Sequence, residues 1–365
     1  MTDDLEVARA LLPSVRLEPL EELRGGERSS VQRVHATYPD GNRSTLVVKR
    51  YLAAGEGWVR ESAALSVLPA SVPAPRVVAV GDQPPVLITD DLGGGGSVAD
   101  ALLGTDPALA TAAVVGWARA IATLHVATAG SRQSFRDAVD ERQGDLPVAE
   151  SRMSIDLEDA IRVLDRECGA LGVRVPAGAF EELRGVGKRL GASGPAALTP
   201  ADTCPDNNVA APSGLALLDF EGAEWRHLAW DVAYLLVPWP TCWCSWRLPA
   251  AVADQALDAY RRVAAAAFPQ VAEPGFAADL DAAVLGWALL STSWFIDNAL
   301  GSDAPANPEK PTPTRRAMIM HRLESVAGSR EVPAAAELAG RLAGALHTRW
   351  GDVPLAYARA FTAAQ

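Results

Sequence analysis

The segment 198–221, LTPADTCPDNNVAAPSGLALLDFE, holds three oxygen-bearing side chains at a spacing that suits phosphoryl transfer. Asp202 sits in a polar loop, Asn207 follows five residues on, and Asp219 ends the apolar run LALLD. Moving a phosphoryl group to an alcohol needs one carboxylate to orient or deprotonate the acceptor hydroxyl. It also needs an amide oxygen and a second carboxylate to hold Mg2+ against the phosphates, because that hard ion takes oxygen ligands. A short hairpin between Asn207 and Asp219 would bring both metal ligands to one place.

This order of residues resembles the aminoglycoside phosphotransferase/choline kinase family, in which H-G-D-x-x-x-x-N precedes a strand ending in D-[FW]-[ED]. The resemblance implies that Asp202 is the catalytic base, Asn207 a metal ligand and Asp219 the principal metal ligand, with ATP and Mg2+ as cofactors. HLAWDVAYLL is similar to the family's Y-D-L-A segment, which gives Asp231 the role of buttressing the catalytic loop. Where the family has H-G, this chain has Pro200-Ala201. Proline fixes φ near −65° and pushes the preceding Thr199 toward an extended conformation. The loop is therefore expected to be held by Pro200 rather than by a side-chain hydrogen bond, with Asp202 still pointing into the cleft.

The N-terminal half adds further matches. LRGGERSSVQRV (23–34) resembles the strand–turn–strand over the nucleotide phosphates, where Gly26 lets backbone N–H groups approach and Ser29 and Ser30 offer hydroxyl donors. STLVVKRY places Lys49 at the end of an apolar strand, where a kinase lysine grips the α- and β-phosphates. Glu61, in GWVRESAALSVL, stands where the family's glutamate pairs with that lysine. LITDDLGGGGS resembles the hinge that holds adenine, with Thr89, Asp90, Asp91 and Leu92 around the base. His125 reads as structural. The resemblance runs from residue 20 to about 240.

The elements that must position these groups fall into two kinds. Runs at 17–24, 30–38 and 44–51, with turn residues between them, predict two hairpins, and 56–68 has helical spacing. PAPRVVAVGD and PPVLITDDL read as two more strands. Beyond Gly93–Gly96 the apolar period is helical, over 97–103, 108–127, 155–171, 178–190, 249–267, 275–300, 314–327 and 333–348. A strand-like stretch around 207–219 interrupts it. SDAPANPEKPTPT (302–314) reads as a mobile loop. Periodicity thus predicts an α+β chain with two lobes. The resemblance makes this a protein-kinase-like fold, with a nucleotide-binding lobe and its hinge over 1–92 and a catalytic and acceptor-binding lobe over 93–365.

Composition bounds the partners. With 365 residues, 49% hydrophobic and 21% charged, the chain can bury a core for two lobes. A net charge of −12 argues against binding to the phosphate backbone of nucleic acid. The N-terminus lacks a basic start and an apolar run, and no uninterrupted apolar stretch is long enough for a membrane span, so a cytoplasmic protein without membrane or obligatory protein partner is expected. Cys168, Cys204, Cys242 and Cys244 do not suggest a disulfide scaffold. Cys-x-Cys is not the usual zinc knuckle, and Cys204, Cys242 and Cys244 are expected to hold no structural metal. The tryptophans of PWPTCWCSWRLP (238–249) suit either core packing or an acceptor pocket. Trp294, Asp297 and Asn298 suit either acceptor contacts or a helix core with an exposed cap. The expected function is transfer of the γ-phosphate of ATP to a hydroxyl of a small molecule, such as an aminoglycoside-like antibiotic or another hydroxylated metabolite. A regulatory nucleotide-binding pseudokinase and a nucleotidyl transferase on the same fold are the alternatives.

Overall fold

The computed structural model describes residues 4–364, except 24–27, 192–193, 213, 306 and 308–309. Its N-terminal part is an antiparallel sheet of β1 (Arg16–Leu23), β2 (Ser29–Thr37), β3 (Arg43–Tyr51), β4 (Val77–Asp82) and β5 (Pro85–Asp90) in the order β1-β2-β3-β5-β4. Strand alternation sorts its residues into two faces. Val34, Leu46, Val48, Val86 and Ile88 pack under helix α1 (Asp4–Leu11), whose Leu5 and Ala8 close that layer. The other face carries Val31, Val47, Lys49, Leu87 and Thr89, paired in register as Val31 with Lys49, Lys49 with Leu87, and Val47 with Thr89. A lysine set among Val31, Val47 and Leu87 is what the cleft below requires. Helix α2 (Glu56–Val67) follows β3 and packs against β4 and β5.

Gly93–Gly96 links the sheet to the helical part. A Cβ on Gly95 would sit 1.9 Å from the Ala210 carbonyl oxygen, so the link can pass this close only as glycine. Beyond it come α3 (Val98–Leu103), α4 (Pro107–Thr128), α5 (Arg132–Gln143), α6 (Met153–Leu171) and α7 (Ala179–Arg189). Two small strand pairs follow: β6 (Ala196–Thr199) with β9 (Glu224–His227), and the hairpin β7 (Asn208–Ala211) with β8 (Gly214–Leu217). The remainder is α8 (Ala229–Val232), α9 (Ala250–Ala264), α10 (Pro274–Gly301), α11 (Arg315–Val326) and α12 (Pro333–Trp350).

The strong helices start on clear signals. Ser97 and Asp100 form a reciprocal cap on α3, and Asp106 caps α4 ahead of Pro107. Among the described residues α4 is the one helix long and apolar enough to cross a membrane, with a mean hydropathy of 1.4. Here it packs against α9, β6 and β8, and its Trp117, Ile121 and His125 are buried. The long α10 is buried along most of its length at the centre of the helical part.

Elements α1, α5, α8, β6 and β9 lie outside the runs read from the sequence. Helix α1 has an apolar face of only two buried residues, and α5 buries only Phe135, Ala138 and Val139 on a strongly polar helix. Strands β6 and β9 are four residues each and wholly buried, so they lack the alternation that marks a half-buried strand.

Candidate active site

A cavity of about 630 Å³ lies between the sheet and the helical part. Its walls include Ser29, Val31, Lys49, Glu61, the run Thr89, Asp90, Asp91 and Leu92 before the interlobe link, and, from the other side, Asn207, Leu218 and Asp219. Residues as far apart in the chain as Ser29 and Asp219 thus face one volume. Gly26 lies outside the described residues. Ser30 is a correction: alternation along β2 turns it away from the cavity, where its hydroxyl bonds Asp4 of α1. Only Ser29 of that pair faces the cleft.

Lys49 is the electrostatic centre of the cleft. Its Nζ lies 2.7 Å from Glu61 Oε2, 3.1 Å from Asp219 Oδ1 and 3.6 Å from Glu221 Oε2. Burial alone would lower the lysine's pKa, but Glu61, Asp219 and Glu221 outweigh it, so the ammonium is held well above its usual range. Glu61 is itself positioned from two sides: the Tyr51 hydroxyl donates to Oε2, and the Phe220 backbone N–H donates to Oε1 at 3.3 Å. Asp219 adopts φ +59°, a left-handed conformation that aspartate tolerates better than most residues. Glu221, raised by burial and by Asp219, pairs with Arg28 at 2.6 Å across the cleft mouth.

The Asp90 and Asp91 carboxylates are tied to neighbouring groups rather than projecting freely. Asp90 Oδ1 accepts from the Arg76 backbone N–H at 2.6 Å, and Asp91 pairs with Arg33 at 2.7 Å and accepts from the Gly93 N–H at 3.1 Å. With Leu23, Val31, Val47 and Leu218 they frame a slot with apolar walls and a polar edge, suited to a flat heterocycle.

Asp202 is half-buried next to the cavity, not among the residues lining it. Its Oδ1 accepts from Thr241 Oγ1 at 2.6 Å, and its carbonyl accepts from Asn207 Nδ2 at 3.0 Å. That second bond orients the Asn207 amide with its nitrogen toward the loop. Burial holds the Asp202 carboxyl above the ordinary range, with the Cys204 thiol and then the Thr241 hydroxyl pulling the other way. The loop is clamped from both flanks. Trp117 Nε1 donates to the Thr203 carbonyl at 2.9 Å, and Asn208 spans from the Val98 N–H to the Cys204 and Pro205 carbonyls.

The expectation that Pro200 replaces a side-chain hydrogen bond needs correction. The Ala201 carbonyl accepts from Arg226 Nη2 at 2.9 Å and from the Tyr234 hydroxyl at 3.0 Å, and its N–H donates to Thr199 Oγ1 at 3.0 Å. These bonds hold Ala201 at φ +65°, a conformation costing a non-glycine residue about 1–2 kcal/mol. Arg226 is in turn held by Asp231, which also accepts from His125 Nε2 at 2.9 Å, while His125 Nδ1 meets the Tyr260 hydroxyl at 2.9 Å. Asp231 therefore reaches the loop through Arg226.

Burial pushes the Asp231 carboxyl up, but Arg226 and His125 outweigh it and hold it at about 2, below its ordinary 3.8. A depressed folded-state pKa contributes stability that is complete above the unfolded value and lost as pH falls through about 2. Replacing Asp231 with Asn is expected to cost about 3–5 kcal/mol at pH 7, as expected on breaking a buried pair. Denaturant titrations should show the gap between wild type and variant narrowing as pH falls from about 4 toward 2.

Sequence reasoning missed Tyr51, Arg28, Asn208, Arg226, Tyr234 and Thr241. Arg226 carried a signal, an arginine five residues before Asp231 in the Trp-flanked run EWRHLAWD. Thr241 carried none, since its partner lies 39 residues away. Trp239 and Trp246 are core residues, whereas Trp243 is half-buried and donates to Asp206 at the cleft. Trp294 and Asp297 are not among the residues lining the cavity, and Asp297 pairs with Arg166 at 2.7 Å.

Comparison with known proteins follows the same pattern. The sequence profile described as the Phosphotransferase enzyme family matches residues 20–273. Among solved structures, the ethanolamine kinase of Plasmodium vivax is similar at 12% identity and a TM-score of 0.51, covering 88% of this chain and 85% of its own. The choline kinase of Cryptosporidium parvum is similar at 12% identity and a TM-score of 0.50, covering 89% and 94%. A thermostable mutant of the aminoglycoside phosphotransferase APH(4)-Ia, in a ternary complex with ADP and hygromycin B, is similar at 14% identity and a TM-score of 0.50, covering 96% and 100%. At these identities the likeness is one of fold, the two-lobed kinase-like α+β architecture. No match was found among curated proteins.

Proposed function

The chain belongs to the Phosphotransferase enzyme family, and from that premise we propose that it transfers the γ-phosphate of ATP, with Mg2+, to a hydroxyl of a small molecule. The observation that carries this reading is Lys49, held between Glu61 of one lobe and Asp219 of the other on the wall of a single cavity. The relative crystallised with ADP and hygromycin B supports it. The acceptor class is an aminoglycoside-like antibiotic or another hydroxylated metabolite.

Each residue then has a task. Lys49, fixed by Glu61 and Tyr51, neutralises phosphate oxygens, and the hinge backbone at Thr89–Leu92 takes the base. Ser29 offers a hydroxyl to the phosphates. The donors at Asn207 and Asp219 are oxygens facing the same cavity, which fits a hard divalent ion. Mg2+ bound there supplies positive charge against the phosphates and the leaving ADP. The acceptor hydroxyl oxygen bonds to the γ-phosphorus, the bond to the β–γ bridging oxygen breaks, and the hydroxyl proton passes to Asp202. Thr241 keeps the Asp202 carboxylate oriented for that proton.

Product analysis tests the reading. With an acceptor and Mg-ATP the enzyme should release ADP and no pyrophosphate, and chelation of Mg2+ should abolish release. Pyrophosphate would instead identify a nucleotidyl transferase, and unchanged turnover in chelator would contradict the magnesium assignment.

A further inference from the structure

Two cysteines and one aspartate converge beside the cleft without a part in the phosphotransfer scheme. Cys204 and Asp206 lie in the loop between Asp202 and Asn207, and Cys242 comes from the 238–249 segment. In the fold, their two sulfurs and a carboxylate oxygen all lie within 4.8 Å of one another. Both cysteines are buried and free of disulfides. Asp206 lines the cleft, so the group has a buried sulfur side and a side open to solvent.

One edge of the group has the length of a tetrahedral cation site. The distance from Cys242 Sγ to Asp206 Oδ1 is 3.5 Å. A tetrahedral zinc ion with Zn–S of about 2.3 Å and Zn–O of about 2.0 Å has an S···O edge of about 3.5 Å. The other Asp206 oxygen is taken by the Trp243 indole N–H, with Lys310 Nζ at 3.7 Å, which turns Oδ1 toward the sulfurs. Outer partners that orient a ligand in this way are a regular part of metal sites. Cys244 is outside the group, and its backbone N–H donates to Cys242 Sγ at 3.4 Å.

We propose that Cys204, Asp206 and Cys242 form a binding site for a thiophilic divalent cation, zinc by its donor set, with a fourth position open to water at the cleft. Binding replaces two thiol protons, released to solvent, by one dication, so the charge balances. Two thiolates, one carboxylate and one dication leave a net charge of −1. Lys310 faces that charge, and Arg322, buried with Nη1 unpartnered, acts electrostatically on both sulfurs. The site is distinct from the all-oxygen pair Asn207 and Asp219, which suits magnesium. The expectation of no metal from sequence weighed the three cysteines alone; Asp206 in place of Cys244 changes the donor set. An occupied site would tie the loop holding Asp202 to the segment holding Thr241.

The test reads metal binding, so it stands or fails apart from phosphotransfer. Reduced, chelator-dialysed full-length protein is titrated with Co2+ and followed by absorption, then with Zn2+ against a chromophoric chelator. One equivalent of cobalt with a thiolate charge-transfer band, displaced by zinc, is expected. Cys242→Ser and Asp206→Asn should each weaken zinc binding at least about tenfold, while Cys168→Ser, on α6, leaves it unchanged. Thermal melts establish that each variant is folded, and the wild-type cobalt spectrum decides the matter if one is not. A cobalt spectrum without thiolate charge transfer, or equal zinc affinity in folded Cys242→Ser, overturns the proposal.

Discussion

Replacing Asp202 with Asn lowers kcat by about 10²–10⁴-fold while nucleotide affinity changes little, because a base acts in the transition state more than in the ground state. The substitution keeps size and shape, so the Thr241 hydroxyl at 2.6 Å and the Asn207 bond to the Asp202 carbonyl have the same positions to occupy. What disappears is the ability to take the acceptor's proton. Steady-state kinetics against ATP and acceptor separate the two effects: kcat falls, and KM for ATP stays within a few-fold. A variant at full speed would remove Asp202 from the mechanism and turn attention to Glu221, the raised carboxyl on the cavity wall.

The second large effect is at Asp219. Asp219→Ala removes the carboxylate proposed to carry most of the metal binding, and with it one of the three anions around Lys49. Magnesium-dependent turnover should fall by at least about 10²–10³-fold, the scale for losing a preorganised charge stabiliser. The protein itself should remain folded, since the Asp219 side chain is 38% exposed and Lys49 keeps Glu61 at 2.7 Å. Circular dichroism and a thermal melt check the fold while a coupled ADP assay reads the activity. Normal turnover in the folded variant would sink the metal assignment.

Much of this arrangement is readable along the chain because the chemistry lies in short local runs. Lys49 lies near the end of a nine-residue strand, Glu61 follows on the next helix, and Asn207 and Asp219 bracket one hairpin. Period and turn residues put them on strand, helix and hairpin, and the resemblance to a phosphotransferase family is what links them as one site. The rest depends on contacts that no local pattern encodes. Tyr51 reads as a strand aromatic until its hydroxyl meets Glu61, and Thr241 becomes relevant only when the 238–249 segment folds back onto the loop. Ser30 went astray for a simpler reason: two adjacent serines on a strand must face opposite ways, and only the tertiary fold says which one sees the cleft. Pro200 explains part of the loop's shape, but the hydrogen bonds from Arg226 and Tyr234 come from a strand and a short 3-10 helix 26 and 34 residues beyond it.

The central claim is phosphoryl transfer to a hydroxyl, and the measurement closest to it is the mass of the acceptor. Wild-type enzyme, Mg-ATP and a panel of aminoglycosides, other hydroxylated antibiotics, amino alcohols and sugars are incubated and analysed by mass spectrometry. The account predicts at least one compound that gains the mass of a single phosphoryl group, in equal amount to the ADP formed, and no such product with Asp202→Asn in the same time. ATP that is bound but never turned over, with every compound in the panel unchanged, would contradict it in favour of a regulatory nucleotide-binding protein.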